Sequence, residues 1–214
     1  AKDFIAIYMI ASSPTSIVVH ESVPARTLKE LIDYAKANPT KLSYGSAGAG
    51  TMTNLAGELF KELIGVPTIT HIPYKGGTPA VADLASGHIP MMVSTIWGPL
   101  LELHRTGKAR ILAVAAEKRL RATPDIPTAI EAGLPGMVAA NFNGLFAPAG
   151  VSKAIIDQIA AETRIAMADP HAQELMIKTG FEPIAQSGPE AAQKEVASKL
   201  ARWVPIIKKL GFKQ

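Results

Sequence analysis

The chain has 214 residues, a formal net charge of +4, 48% hydrophobic and 19% charged residues, and no cysteine. This is the composition of a globular protein long enough for one large or two small domains around a real core. It excludes disulfides, thiolate nucleophiles and Cys-type zinc sites, and no run is apolar for the roughly 20 residues that a membrane helix needs.

In chain order, Phe4–Ile10 is a dense apolar run and Ser16–His20 a β-branched one, and both predict strands. Thr27-Leu-Lys-Glu30 has the form of a capping box. Leu28, Leu31, Ile32 and Ala35 then line one helical face, which Asn38-Pro39 ends. Leu42–Gly45 predicts a short strand. Leu55, Leu59, Leu63 and Ile64 form a helical stripe stopped by Gly65. Thr68–Ile72 predicts a strand, Pro73–Gly77 a turn, and Thr78-Pro79 the cap and first residue of a helix closed by Gly87. A strand over Ile89–Ser94, a helix over Pro99–Arg105 and a strand over Arg110–Ala116 follow. Beyond Thr123, prolines and glycines mark loops around a short helix, Thr128–Ala132, and Met137–Ala147 predicts a strand. The remainder is mostly helical: Ser152–Ala168, His171–Thr179 and Pro189–Leu210, with a short strand near Phe181–Ala185.

Strands that alternate with helices through short connections argue for an α/β fold with a parallel sheet. The helix-rich tail argues for two lobes, with crossings near Ala11–Ser16 and Asn141–Pro148. That divides the chain into a central α/β lobe, 13–140, and a second lobe made of 1–12 and 141–214.

Catalytic motifs fail one by one. Tyr44-Gly-Ser-Ala-Gly48 resembles a nucleophile elbow but has tyrosine where the first glycine belongs. The histidines His20, His71, His88, His104 and His171 make no metal-ligand spacing. Gly48-Ala-Gly50 leads into neither a Walker lysine nor a third glycine. No catalytic residue, metal or cofactor is therefore expected. With 6% aromatic residues and no basic stripe among them, neither is nucleic acid.

Two glycine-rich loops remain. SYGSAGAGTMTNL, Ser43–Leu55, offers Ser46, Ala47, Gly48, Gly50, Thr51 and Thr53 just ahead of a helix. Backbone amides and hydroxyls there suit a carboxylate; a tight strand-to-helix turn with hydroxyl caps explains the same residues equally well. Pro73–Pro79 adds Tyr74, Lys75 and Gly76 at a second such junction. Ser94-Thr-Ile-Trp-Gly98 ends the next strand, with Trp97 either a wall or core. In a parallel sheet these loops share the edge where α/β ligands bind.

LSYGSAGAGTMTNLAGELFKELIGV, HIPYKGGTPAVADLASGHIPMMVST, GKARILAVAAEKRLRATPDIPTAIEAGLPGM and GLFAPAGVSKAIIDQI follow one another along the chain. In that order they resemble the Bug family, the TctC-like extracytoplasmic solute receptors of tripartite tricarboxylate transport. The resemblance implies a two-lobed periplasmic-binding-protein fold, with one complete parallel-sheet lobe, closing on a small mono- or dicarboxylate. It implies ligand contacts at Ser46, Ala47, Gly48, Gly50, Thr51, Thr53, Tyr74, Lys75, Gly76 and Ser94, a periplasmic location and membrane transporter subunits as partners. The alternative partner is a membrane signalling protein that reads the bound carboxylate. Ser94 stands where many members have an acid, so amino-acid ligands are not expected. Members carry a further strand, ligand loop and helix ahead of the point matching Ala1. The expectation is therefore a partial first lobe whose uncovered faces on the tail helices (Ile155, Ile156 and Ile159; Val196, Leu200, Trp203 and Ile207) favour a homo-oligomer.

Overall fold

The computed structural model describes residues 3–211. The chain divides into two compact units, one of residues 14–141 and one of residues 1–13 with 142–214.

The run that resembles two strands is one: β1 extends over Phe4–His20. Pro14 interrupts its donors but not its course. It lies between the pairs that Ala11 and Ser12 make in one unit and those that begin at Thr15 in the other, where a missing N–H costs no ladder bond.

In the unit of residues 14–141 the elements are α1 (Leu28–Ala37), β2 (Ser43–Ser46), α2 (Met52–Ile64), β3 (Thr70–Pro73), α3 (Gly77–Ala85), β4 (Met91–Thr95), α4 (Gly98–Arg105) and β5 (Ala109–Val114). The strand order is β3-β2-β4-β1-β5. β2 runs parallel to β3 and β4, whereas β1 is antiparallel to β4 and to β5. The sheet is thus mixed rather than parallel, with β1 alone reversed. Because β2, β3 and β4 share one direction, the loops that follow them still emerge at one edge, and this positions the site.

Local signals explain the helices. Thr27 caps α1, accepting from the Glu30 amide at 3.2 Å, while the Glu30 carboxylate reaches back to the Arg26 amide at 2.6 Å, a capping box displaced by one residue. Gly65, at φ 73°, closes α2 in the left-handed conformation that other residues avoid. α3 starts two residues earlier than Thr78-Pro79 suggests. Its N-cap is Gly76, which contributes no side chain, and Pro79 sits inside the first turn, where its missing N–H is harmless. Thr128–Ala132 is a single turn and not a helix. Thr128 and Glu131 do form a reciprocal capping box, at 3.1 and 2.7 Å, but the Ala129 amide pairs with Val114 instead and Gly133 ends the turn. A core of Val18, Leu84, Ile89, Met92, Leu100 and Val114 fills the space between β1, β4, β5, α3 and α4. Burying each such side chain is worth about 1.5–3 kcal/mol.

In the other unit, β6 (Ala140–Pro148) and β7 (Glu182–Pro183) pair with β1. α5 (Lys153–Ala168), α6 (Pro170–Lys178) and α7 (Pro189–Lys209) complete it. Ile7, Tyr8, Ile156, Ala160 and Met167 form its principal core, and Ala6, Met9 and Ala192 a smaller one. The tail helices bury part of their stripes: Ile156 and Trp203 are buried, while Ile155 and Leu200 are 51% and 46% exposed.

Candidate functional site

β2 delivers the chain at Ser46 into a tight loop that reaches α2. Gly48 (φ 136°) and Gly50 (φ 75°) adopt conformations closed to other residues, and a Cβ on Gly48 would lie 3.1 Å from the Tyr74 carbonyl. The loop spends its own amides. Ala47 N–H donates to Thr53 Oγ1 (3.0 Å), Gly48 N–H to Ser46 Oγ (3.2 Å), Gly50 N–H to Asn54 Oδ1 (3.0 Å) and Thr51 N–H to the Gly48 carbonyl (3.3 Å). The second loop is tied to the first through Tyr74 N–H to Ser46 O and Gly76 N–H to Ala47 O, both 3.1 Å. The expectation that glycine-loop amides point free at a ligand therefore fails for Ala47, Gly48 and Gly50. The glycines allow the loop to fold onto itself.

Free donors lie one step further along each loop. A cavity of about 580 Å³ is lined by Ala47, Thr51, Met52, Thr53, Gly77, Thr78, Ser94, Thr95, Trp97 and Asn141. Met52 and Thr53 begin α2, and Gly77 and Thr78 begin α3. The first-turn amides of a helix have no intrahelical acceptor. Among the described residues these four have no other acceptor either, since the Thr51 hydroxyl cap is taken by Asn54 N–H at 3.4 Å. Two helix N-termini thus meet at one cavity, each with partial positive charge. Thr78 and Thr95 add hydroxyls, Asn141 an amide, and Met52 and Trp97 apolar walls, while the lining hydroxyls of Thr51, Thr53 and Ser94 are bonded within the protein, Thr51 to the Gly48 carbonyl, Thr53 with Thr51 and Ser94 to the Thr95 carbonyl. No described lining residue carries a charged side chain.

Of the residues expected from sequence, Ala47, Thr51, Thr53 and Ser94 line this cavity. Tyr74 does not: its hydroxyl donates to Asp83 Oδ2 at 2.6 Å, and burial, followed by that bond, pushes its pKa up to about 12. Lys75 is exposed and outside the lining. Gly76 caps α3 and Gly48 and Gly50 shape the loop, all outside the lining. Ser46 is fully buried, its hydroxyl 2.7 Å from His71 Nε2. That serine–histidine pair escapes sequence reasoning because β2 and β3 bring it together. Met52, Gly77, Thr78, Thr95 and Asn141 are the lining residues that motif reading missed. The signal available for four of them was position: they begin a helix or end a strand at the ligand edge.

Behind the loop lies a buried polar chain. Asn54 Nδ2 donates to the Tyr44 hydroxyl (2.8 Å), which donates to Glu58 (2.7 Å), and Glu58 is paired with Lys61 at 2.8 Å. Tyr44 stacks on His71 with ring centroids 4.9 Å apart. Burial, then Glu58, hold the Tyr44 phenol far above its usual range, so it acts only as a neutral donor and acceptor. Asn54 passes this rigidity to Gly50, fixing the loop ahead of α2.

The sequence model of the TctC group, the tripartite tricarboxylate transporter family receptor, matches residues 1–212. The chain belongs to the tripartite tricarboxylate transporter receptor family. A UPF0065 protein in the gbd 5' region of Cupriavidus necator is 36% identical over 212 residues, which is 99% of this chain and 63% of the relative. Among solved structures, Rhodopseudomonas palustris Rpa4515 with adipate superposes with a TM-score of 0.88 at 31% identity, over 98% of this chain and 69% of the other. MatC (Rpa3494) of Rhodopseudomonas palustris with bound malate gives 0.83 at 26% identity, over 95% and 69%. The α/β fold of these binding proteins is the fold of this receptor-family chain. The chain spans about three fifths of the length of the curated relatives it matches.

Proposed function

We propose that this family member is the solute-binding component of an uptake system outside the cytoplasm, that it holds one carboxylate of a small acid in the cavity at the starts of α2 and α3, and that a membrane transporter accepts the acid. The observation that carries the reading is the convergence of four unpaired first-turn amides and a set of hydroxyls on a cavity whose described lining has no charged side chain. A carboxylate accepts up to about four hydrogen bonds, and several neutral donors stabilise its charge well. Met52 and Trp97 give the carbon chain of the acid an apolar surface. The adipate and malate carried by two structural neighbours are acids of this class.

Titration calorimetry of this chain with adipate, malate and their dimethyl esters tests the proposal. The acids should bind and the esters should not, and Thr78→Val and Thr95→Val should each weaken the acids by about tenfold, the value of one hydrogen bond to a charged acceptor. Equal binding of acid and ester, or no heat from any acid with a folded chain, refutes it.

A further inference from the structure

His71 stands outside the cavity but is wired to it. Its Nε2 lies 2.7 Å from Ser46 Oγ; Ser46 Oγ lies 3.2 Å from the Gly48 carbonyl; that carbonyl accepts from Thr51 Oγ1 at 2.7 Å; and Thr51 Oγ1 lies 2.9 Å from Thr53 Oγ1. The last two residues line the cavity. Each hydroxyl has one hydrogen to give, so the partner that Ser46 chooses sets how many donors compete for the Gly48 carbonyl.

With His71 neutral, the shorter contact sets the arrangement. In the neutral tautomer that carries its hydrogen on Nδ1, Ser46 donates to Nε2 and accepts from Gly48 N–H at 3.2 Å. Thr51 then gives its hydrogen to the Gly48 carbonyl, and Thr53 gives its own to Thr51. Neither hydroxyl hydrogen is left for a ligand. With His71 protonated, both ring nitrogens are donors. Ser46 must then accept from Nε2 and from Gly48 N–H, and its hydrogen turns to the Gly48 carbonyl. That carbonyl has two lone pairs and already takes the Thr51 N–H at 3.3 Å and the Thr51 hydroxyl at 2.7 Å, so the Ser46 hydroxyl enters as a third donor and competes with the Thr51 hydroxyl, whose hydrogen is then available at the cavity wall.

We propose that His71 is a positioning residue for the cavity: acting through Ser46 and the Gly48 carbonyl, its protonation state decides whether Thr51 and Thr53 present a free hydroxyl hydrogen to an anion. The groups that face the ring are Tyr44 of β2, stacked on it, and Glu58 and Lys61 of α2, which are paired with each other. Burial lowers the His71 pKa first, Glu58 raises it and Lys61 lowers it again, so the ring is neutral at neutral pH and titrates below the ordinary histidine value. The sign of the effect on affinity rests on the carboxylate reading above: protonation should strengthen acid binding. By linkage, each tenfold gain in affinity appears as a rise of about one unit in the His71 pKa on binding.

The experiment is an NMR titration of the unliganded chain, following the His71 imidazole and the Gly48 and Thr51 amides, in wild type, His71→Gln and Ser46→Ala. In wild type both amides should titrate with the His71 midpoint. His71→Gln should remove the response. Ser46→Ala should leave His71 titrating and silence Thr51. Silent amides in wild type while His71 titrates, a Thr51 response that survives Ser46→Ala, or an imidazole that stays neutral until the protein unfolds overturns the proposal. The wild-type titration decides even where a variant fails to fold. The ratio of adipate affinity in wild type to that in His71→Gln, which cancels protonation of the acid itself, should rise about tenfold as pH falls through the midpoint. Absence of adipate binding at every pH counts against the carboxylate reading alone, because the amide titration judges the relay without ligand.

Discussion

Gly57→Ala separates two opposing effects within α2. By helix propensity alone the change stabilises a helix interior by about 0.5–1 kcal/mol. The structure predicts the reverse. A Cβ on Gly57 would lie 2.1 Å from Tyr44 Cε2, 2.4 Å from its Cζ and 2.7 Å from its hydroxyl oxygen. Carbon contacts settle at about 3.5–4.0 Å, so the ring must retreat by roughly 1.5 Å. It has nowhere to go: Tyr44 is fully buried, stacked on His71 and tethered by its hydroxyl to Asn54 and Glu58. Overpacking costs about 1–3 kcal/mol, and losing partners for a buried hydroxyl about 1–3 more. Against the propensity gain the net loss is about 1–5 kcal/mol, or a fall of roughly 4–20 °C in the Tm of the unit of residues 14–141. Circular dichroism melts measure it. Gly57→Ala combined with Tyr44→Leu should recover part of the loss, a coupling that a double-mutant cycle isolates. A Tm equal to or above wild type for Gly57→Ala refutes the reasoning. Since Asn54 also holds the Gly50 amide, acid affinity should fall in the same variant.

Lys75→Met should leave the affinity for adipate within about twofold of wild type in calorimetry, because an exposed cation outside the cavity lining is screened by solvent and salt; a selective loss of dianion binding would put Lys75 in the site after all. Glu131 has its carboxyl pKa held below the usual value by the Thr128 amide first and by Arg119 next. A depressed carboxyl contributes stability that is complete above the unfolded pKa and is lost as pH falls through the folded one. Amide exchange at Thr128 should therefore accelerate, relative to a neutral-pH reference corrected for intrinsic rates, only below the normal carboxylate range. Glu131→Gln should remove that step, and an unchanged acid profile in this variant would refute the assignment.

Much of the frame was legible in sequence because it rests on local chemistry. The stripe from Leu55 to Ile64 and the stop at Gly65 define α2, and Thr27 and Glu30 define the start of α1. The loops after β2, β3 and β4 could be assigned to one edge because strand–helix alternation implies shared direction, and that inference survives the reversal of β1. What misled was also local. Ala11–Thr15 separates the two apolar runs read as strands, yet Ala11, Ser12 and Thr15 find partners on strands far away in sequence, and pairing overrides propensity. The site divides in the same way. Hydroxyls and glycines around Ser46–Thr53 were visible as residue types, but which of their donors stay free was not. Ala47, Gly48 and Gly50 lose theirs to Thr53, Ser46 and Asn54 through side chains folded back on the loop, whereas Met52, Thr53, Gly77 and Thr78 keep theirs because a helix has no acceptor for its first turn. The link from Ser46 to His71 crosses two strands in parallel register. The sequence by itself determined the longer helices, the cap that starts α1, the glycine that stops α2 and the edge at which the loops after β2, β3 and β4 gather, since those follow from periodicity and backbone freedom within a few residues. Only the tertiary structure decided which hydrogen-bond donors remain for that ligand, because a donor's availability depends on every acceptor that folding brings within reach.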